Sequence, residues 1–447
     1  MKARRRAAQR TLICPRPAGT PSILEGELEI PPAAPPPEKL RSLTYWKNGK
    51  QFLSLSLDRK EIQIMNHSPL RKLPIGIQSF EFLRQEGYLY VDKTALIYQL
   101  VTMGKPYFLS RPRRFGKSLL LSTLEAYFLG KRELFHGLAI EQLEENWYVH
   151  PVLHLDLNAE RYDSHQALAD ILERQLQRWE ELYHTGGRGI TYSGRFEEVI
   201  RCACEQTGRR VVVLIDEYDK PLLRNFHNPD LQDDFREMLT AFYTVLKSAD
   251  PYLQFVFITG VTTFAQGDHY CCGLNHLLDI SLCSDYNTLC GMTQKEIVAT
   301  FQPELEAMQK ETNLSADKVM EQMSCQYGGY RFTSNKDFIP MHHPYSVLSA
   351  LQKLTFGSHW FTSDTHPFLV EMMKERSNFA LRELNGIQVS SSSLKSDRAD
   401  INDPVPMAYQ SGYLTIKDYD DRFMMYTLGF PNEEVKQGFL NLIPQKG

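Results

Sequence analysis

The chain has 447 residues, 42% of them hydrophobic and 23% charged, which is enough apolar material for two or three folding units. Its longest unbroken apolar run, Val211–Ile215, falls far short of the roughly 20 residues that a membrane helix needs, so a membrane-spanning protein is excluded. The 50 basic and 54 acidic residues leave a formal charge of −4, which argues against a dedicated nucleic-acid binder, and eight cysteines are too sparse for a disulfide scaffold. A globular, cytoplasmic protein is expected.

The N-terminus differs from the rest. Residues 1–24 carry Lys2, Arg4, Arg5, Arg6, Arg10 and Arg16 and no acid, and eight prolines follow within 14–37. Proline fixes φ and removes a donor, so residues 1–64 read as a disordered tail or linker. Three other readings stay open: a transit peptide, a twin-arginine signal, and an over-extended frame before a natural start at Met65. Residues 43–64 alternate around Lys47-Asn48-Gly49-Lys50, a hairpin signal.

Order begins near Leu73, and Asp92 is placed to cap a helix carrying Leu96, Ile97 and Leu100. Then Pro106–Ser110 reads as a short apolar strand, Arg111-Pro112-Arg113-Arg114-Phe115-Gly116-Lys117-Ser118 as a basic loop, and Leu119 onwards as a helix ended by Gly130. The loop fits G-x-x-x-x-G-K-[ST] except at its first position, where Arg111 replaces glycine. Gly116 lets the backbone approach a phosphate, Lys117 reaches the β/γ oxygens, Ser118 offers a hydroxyl to Mg²⁺, and the helix N-terminus adds positive potential. A basic turn that happens to contain Gly-Lys-Ser is the competing reading.

About 100 residues on, Val211–Ile215 is a β-branched run suited to a buried central strand, and it stops at Asp216-Glu217. In phosphoryl transfer, an Asp so placed holds the Mg²⁺ shell and an adjacent Glu polarises the attacking water. Two solvated acids opening a turn would look the same, but the phosphate loop upstream favours the chemical reading. Strands are also expected at Pro151–Asp156, Leu253–Gly260 and Leu277–Leu282, with helices at Ser164–Tyr183, Phe196–Gln206 and Leu231–Lys247. Such alternation gives an α/β fold with a parallel five-stranded sheet, the additional-strand type of P-loop NTPase. Thr259 ends its strand either as a γ-phosphate sensor or as an ordinary β-branched strand residue.

These residues resemble the AAA-ATPase-like family, bacterial P-loop proteins that commonly carry a C-terminal PD-(D/E)XK nuclease-like domain. The matching stretches include Leu73–Phe80, Tyr90–Thr94, Phe108–Ser122, Val211–Leu222, Phe257–Val261, Gly273–Asn275, Tyr330–Phe332, Tyr409–Thr415 and Tyr426–Asn432. Together they span about residues 66–440, and Arg111 is itself the family's pattern at that loop position. The resemblance implies ATP bound at Gly116, Lys117 and Ser118, with Asp216 and Glu217 as the acid pair; it implies no substrate. Two departures stand out. Thr262–Cys272 differs from a Ser/Lys-containing loop in relatives, and the chain stops at Gly447, about where a nuclease domain would begin. Asp421 with Glu434-Val435-Lys436 mimics D…E-x-K, but Glu433-Glu434 reads better as a helix start.

The remainder reads as structural. Thr293-x-x-Glu296 is a capping box, Ser315 caps a helix ending at Gly328-Gly329, and Pro344 and Pro367 suit first helical positions. The expected division is 1–64 tail, 65–290 P-loop domain, 291–389 helical lid-like region, 390–404 linker and 405–447 C-terminal segment. Cys202/Cys204, Cys271/Cys272 and His342/His343 lie too close together for a usual zinc box. The cluster Arg111, Arg113 and Arg114 serves phosphate attraction, with nucleic acid or a neighbouring subunit's γ-phosphate as alternatives. The sequence therefore predicts a nucleotide-binding protein, expected to be an ATP- and Mg²⁺-dependent ATPase that switches conformation on hydrolysis. Glu217 is its catalytic residue; Arg111–Leu119, Asp216 and Thr259 face the nucleotide, and Ser118 and Asp216 face the metal. The alternatives are a non-hydrolysing scaffold and the ATPase part of a nucleic-acid-processing protein. A nucleic-acid or protein partner and a homo-oligomer both stay open.

Overall fold

Val211–Asp216 is buried at every position, as a strand covered on both faces must be. It lies in a five-stranded parallel sheet in the computed structural model, which describes residues 45–47, 50–52, 71–104, 106–158, 161–186, 191–263, 276–360, 384–395 and 403–442. Most of the expected tail, the greater part of the Thr262–Cys272 loop, the helix expected at 368–374 and residues 396–402 lie outside these. Within residues 1–68, the hairpin signal is met by two antiparallel strands, β1 (Tyr45–Lys47) and β2 (Lys50–Phe52), with Lys47 opposite Lys50.

Residues 69–447 form the second unit. It opens with helices α1 (Phe80–Gln85) and α2 (Thr94–Thr102). The cap of α2 differs by one residue from expectation: Lys93 holds the N-cap position, while Asp92 Oδ1 accepts from the Thr94 amide at 2.8 Å and its hydroxyl at 2.6 Å. An Asp side chain bonding two residues ahead satisfies the free amide from just outside the helix. Then come β3 (Pro106–Ser110), α3 (Lys117–Phe128), β4 (Val152–Asp156), α4 (His165–Leu182), α5 (Tyr192–Thr207) and β5 (Val211–Asp216). They are followed by α6 (Lys220–Arg224), α7 (Pro229–Ser248), β6 (Leu253–Gly260) and β7 (Leu278–Asp279).

The strand order is β4-β5-β6-β3-β7. Strand β6 therefore lies between the strand before the basic loop and the strand before the acid pair, which is the additional-strand arrangement of a P-loop NTPase. The alternation of side chains along each strand builds two cores. Tyr107, Leu109, Val212, Leu214, Phe255 and Phe257 face α3, while Phe108, Leu153, Val213, Ile215, Val256 and Ile258 face α4, α5 and α7. The last strand is shorter than the expected Leu277–Leu282. After Ile280 its ladder is replaced by a side chain, because the Ser110 amide donates to Ser281 Oγ at 2.8 Å.

Helices α8 (Gln294–Thr300), α9 (Gln302–Thr312), α10 (Ala316–Tyr327) and α11 (Pro344–Lys353) share a third core that includes Ile297, Met308, Met323, Val347 and Leu351. The capping box of Thr293 and Glu296 and the Ser315 cap form as expected. Past them lie β8 (Ile387–Ser390), α12 (Ser391–Leu394), α13 (Val405–Gln410), β9 (Thr415–Asp420), β10 (Met425–Gly429) and α14 (Glu433–Leu442). The three strands make an antiparallel sheet in the order β8-β10-β9.

Two expected boundaries fail here. Ser390–Leu394 is not linker: β8 pairs with β10, and Ser390 caps α12 by accepting from the Ser393 amide, the local bonding that makes serine a good cap. The C-terminal segment is not separate either, since Leu394, Met407, Leu414, Leu428 and Phe439 share one core with Leu109, Phe115 and Leu121.

Candidate functional site

Strand β3 ends at Ser110, and the chain must reverse into α3 within a few residues. Two positions take left-handed backbone to do so: Arg114 at φ 60° and Gly116 at φ 98°. A side chain at the second would be strained, and a Cβ built on Gly116 meets nothing within 4 Å, so the loop backbone there is open to a ligand. Lys117 opens α3 and is buried. Its Nζ donates to the carbonyls of Arg111 at 3.1 Å and Pro112 at 3.4 Å and lies 3.5 Å from Glu217 Oε1.

The acid pair ends β5 beside this loop. The Ser118 side chain lies beside the Asp216 carboxylate, whose Oδ1 accepts from the Glu217 amide at 3.0 Å. Burial and the neighbouring Glu217 charge push Asp216 up to about 6, against the opposing pull of Ser118 and Lys117. Burial also pushes Glu217 up, but the charges of Lys117, Lys220 and Arg113 outweigh it and hold that carboxyl below its ordinary value. Glu217 stands at φ 52°, an uncommon backbone for a non-glycine residue, and its Oε2 is buried with no hydrogen-bond partner among the described residues. A cleft of about 460 Å³, within the usual range for a small-molecule site, is lined by Lys117, Ser118 and Glu217, while Asp216 stays outside its lining. Its lining also takes in Arg113, Arg114, Gly116, Asn158 and Lys220, together with apolar Ile77, Val91, Leu119, Leu289, Met292 and Leu348.

Four sequence-predicted site residues are placed differently. Arg111 is 1% exposed, and its Nη1 donates to the carbonyls of Ser110 at 2.9 Å and Ser281 at 2.7 Å. Its guanidinium covers the Phe332 ring at 4.4 Å, so it pins the loop from beneath rather than facing a phosphate or nucleic acid. Pro112 lies outside the cleft lining and contributes its carbonyl to Lys117. Phe115 touches the cleft, but its ring is packed edge-on against Tyr330, Phe332 and His343. Thr259 is fully buried and donates its hydroxyl to the Leu109 carbonyl at 2.8 Å, which ties β6 to β3 and takes its side chain away from the cleft.

The D…E-x-K mimic is not assembled as a carboxylate site. Glu434 is buried within α14, where Oε2 accepts from the Ser346 hydroxyl at 2.8 Å and Oε1 from the Trp360 amide at 2.8 Å and the His359 amide. Asp421 is exposed, and Lys436 pairs with Glu433. No group of three His, Cys, Asp or Glu side chains suited to a metal occurs among the described residues, and no helix there is long and apolar enough to cross a membrane.

Sequence reasoning missed two neighbours of the acid pair. Asp219 is fully buried and accepts from the amides of Val261 at 3.0 Å and Thr262 at 2.5 Å and from the Thr262 hydroxyl at 2.7 Å. This clamps the end of β6 against the acid turn, and only glycine fits at 260, where a Cβ would come within 2.5 Å of Asp219 Oδ1. Lys220 lines the cleft three residues beyond Glu217, at the end of a turn in which its amide donates to the Glu217 carbonyl at 2.9 Å.

A protein from the vnfD 5′ region of Azotobacter chroococcum mcd 1, itself uncharacterised, is 35% identical over 369 residues, covering 82% of this chain and 68% of its own. The sequence profile described as Predicted AAA-ATPase matches residues 74–269, which hold both the loop and the acid pair. The chain belongs to the AAA-ATPase-like family. Membership agrees with the strand order in making it a P-loop protein of the nucleotide-binding ATPase class. The structure of the Aeropyrum pernix ORC2 protein in ADPNP–ADP complexes is similar at a TM-score of 0.27 and 10% identity, covering 84% of this chain and 96% of its own, and at that score it adds nothing to the fold.

Proposed function

We propose that this AAA-ATPase-like chain hydrolyses ATP with Mg²⁺ and uses the reaction to change conformation. The observation that carries the reading is the convergence of Gly116, Lys117 and Ser118 with Glu217 around one cleft at the carboxyl ends of β3 and β5, with Asp216 beside Ser118. Its apolar lining suits a base and its polar lining a polyphosphate. The donor set fits the metal: a hydroxyl and a carboxylate already adjacent are what Mg²⁺ takes from a protein when phosphates and water complete its shell. Ser118 and Asp216 would hold it, and when bound it neutralises charge on the phosphate oxygens.

Lys117 exchanges its two loop carbonyls and Glu217 for the β/γ oxygens, and the N-terminus of α3 adds its dipole. Glu217, released from Lys117, takes the proton of the attacking water. Five described cysteines are free thiols, which suits the cytoplasm, where ATP is abundant.

The test compares two variants. Lys117→Ala leaves phosphate charge uncompensated and weakens ATP binding itself. Glu217→Gln retains ATP but loses about 10²–10⁴ in turnover. Equilibrium binding together with single-turnover hydrolysis reads both. Turnover by Glu217→Gln at the parent rate would replace this reading with a non-hydrolysing nucleotide-binding scaffold.

A further inference from the structure

Asp219 sits immediately before α6, and its carboxylate is consumed by the amides of Val261 and Thr262 and by the Thr262 hydroxyl. That clamp fixes where α6 starts, and the first residue of α6 is Lys220. Lys220 is 7% exposed and lines the cleft beside Glu217. No carboxylate among the described residues lies within ion-pairing distance of its Nζ, and no hydrogen bond from it is found among them. An ammonium taken out of water without a partner is costly, and here burial lowers its pKa while Glu217 offsets part of that cost from a distance.

Balancing Glu217 does not account for it. Glu217 already has Lys117 at 3.5 Å, and Arg113 adds a further positive charge nearby. Among the described residues lining the cleft, Lys117 and Lys220 stand beside one carboxylate, Glu217, which Lys117 already meets, so the charge of Lys220 is directed at open space. A preorganised cation facing an open cleft suits an anion that arrives with the ligand.

We infer that Lys220 is a phosphate-binding residue for the terminal phosphate of the nucleotide, a second cation supplied from within the same chain. The assignment rests on the nucleotide reading above and deepens it. Lys117 reaches the β/γ oxygens from the loop and the α3 terminus. Lys220 lines the same cleft from the start of α6, three residues beyond Glu217, the residue that reading places at the terminal phosphate. Lys220 therefore adds a contact that a diphosphate cannot make.

Calorimetric affinities for Mg²⁺-ATP and Mg²⁺-ADP, measured on the full chain and on Lys220→Met and Lys220→Arg, test this. Lys220→Met is expected to lose about tenfold or more in ATP affinity while its ADP affinity stays within about twofold, as for a charge-assisted contact made only to the third phosphate. Lys220→Arg is expected to keep most of the discrimination. Retained ADP binding also reports that the variant is folded. If ATP and ADP affinities fall together in Lys220→Met, or neither falls, the inference is overturned. A parent that binds and hydrolyses ATP while Lys220→Met keeps the parent's ATP-to-ADP ratio removes this inference alone; a parent that binds neither nucleotide removes the site reading and this inference with it.

Discussion

Gly412 packs against the basic loop that follows β3: a Cβ there would come within 2.8 Å of Pro112 Cβ. Its backbone stands at φ +87°, which glycine alone adopts without strain. The C-terminal motif Tyr409-Gln-Ser-Gly-Tyr is thus part of the floor on which the loop rests, though some 300 residues separate the two.

Gly412→Ala should therefore act on both stability and the nucleotide site. Left-handed strain and the overpacked contact with Pro112 together are expected to cost about 2–3 kcal/mol, read from urea midpoints. ATP affinity should fall as well, because Pro112 moves and its carbonyl holds Lys117. Unchanged stability and affinity would mean that the loop does not depend on this floor.

Arg111 should behave as a structural residue. Arg111→Ala leaves the carbonyls of Ser110 and Ser281 without a donor and opens a cavity over Phe332, at about 3 kcal/mol or more. Arg114→Ala removes a stacking contact with Tyr345, 4.3 Å from the ring, and should cost about 0.5–1 kcal/mol. Denaturation of the two variants side by side checks the ranking; equal costs would return Arg111 to the phosphate-attracting role expected from sequence.

The contrast shows what one dimension conveys. The loop, the acid pair and four of the sheet strands were legible because each is a short apolar run ended by a local signal: Gly116, Asp216, Gly260 and the residues after Asp156. Glu433 was legible as a helix start for the same reason. Arg111 was not, because nothing local says that its side chain turns inward under Phe332. Ser390–Leu394 read as linker because serine runs mark loops, while the β10 strand that orders them lies 35 residues on. Gly412 and Lys220 draw their meaning from elements brought together only by the fold.

His342 gives the fold an acid sensitivity. Burial holds its pKa down at about 4, with Nε2 3.0 Å from the Ser324 hydroxyl. The unfolded chain then binds a proton that the folded chain excludes, so stability is complete above about pH 6.5 and is lost as pH falls toward 4. The loss attributable to this side chain is about 3 kcal/mol over that window. His342→Gln, whose amide can still meet Ser324, should flatten that part of the profile; identical slopes for parent and variant between pH 6.5 and 4 would show that other groups carry it.

Thr259 offers the sharpest contrast with the sequence expectation, which left it open as a γ-phosphate sensor or a strand residue. In the sheet its hydroxyl is spent on the Leu109 carbonyl, and its own carbonyl accepts from the Tyr218 amide at 3.1 Å. Nothing of the side chain lines the cleft. Thr259→Val keeps the β-branched shape and removes only the hydroxyl, leaving the second lone pair of the Leu109 carbonyl unfilled. The expected cost is about 1 kcal/mol of stability, since that carbonyl still has its strand bond. A residue that senses the terminal phosphate would instead lose turnover by a factor of ten or more while the fold barely changed. Melting temperature and single-turnover hydrolysis on the same preparation separate the two. Turnover within about threefold of the parent, with a lowered melting temperature, is the expected outcome; the reverse pattern would place the Thr259 hydroxyl at the nucleotide after all.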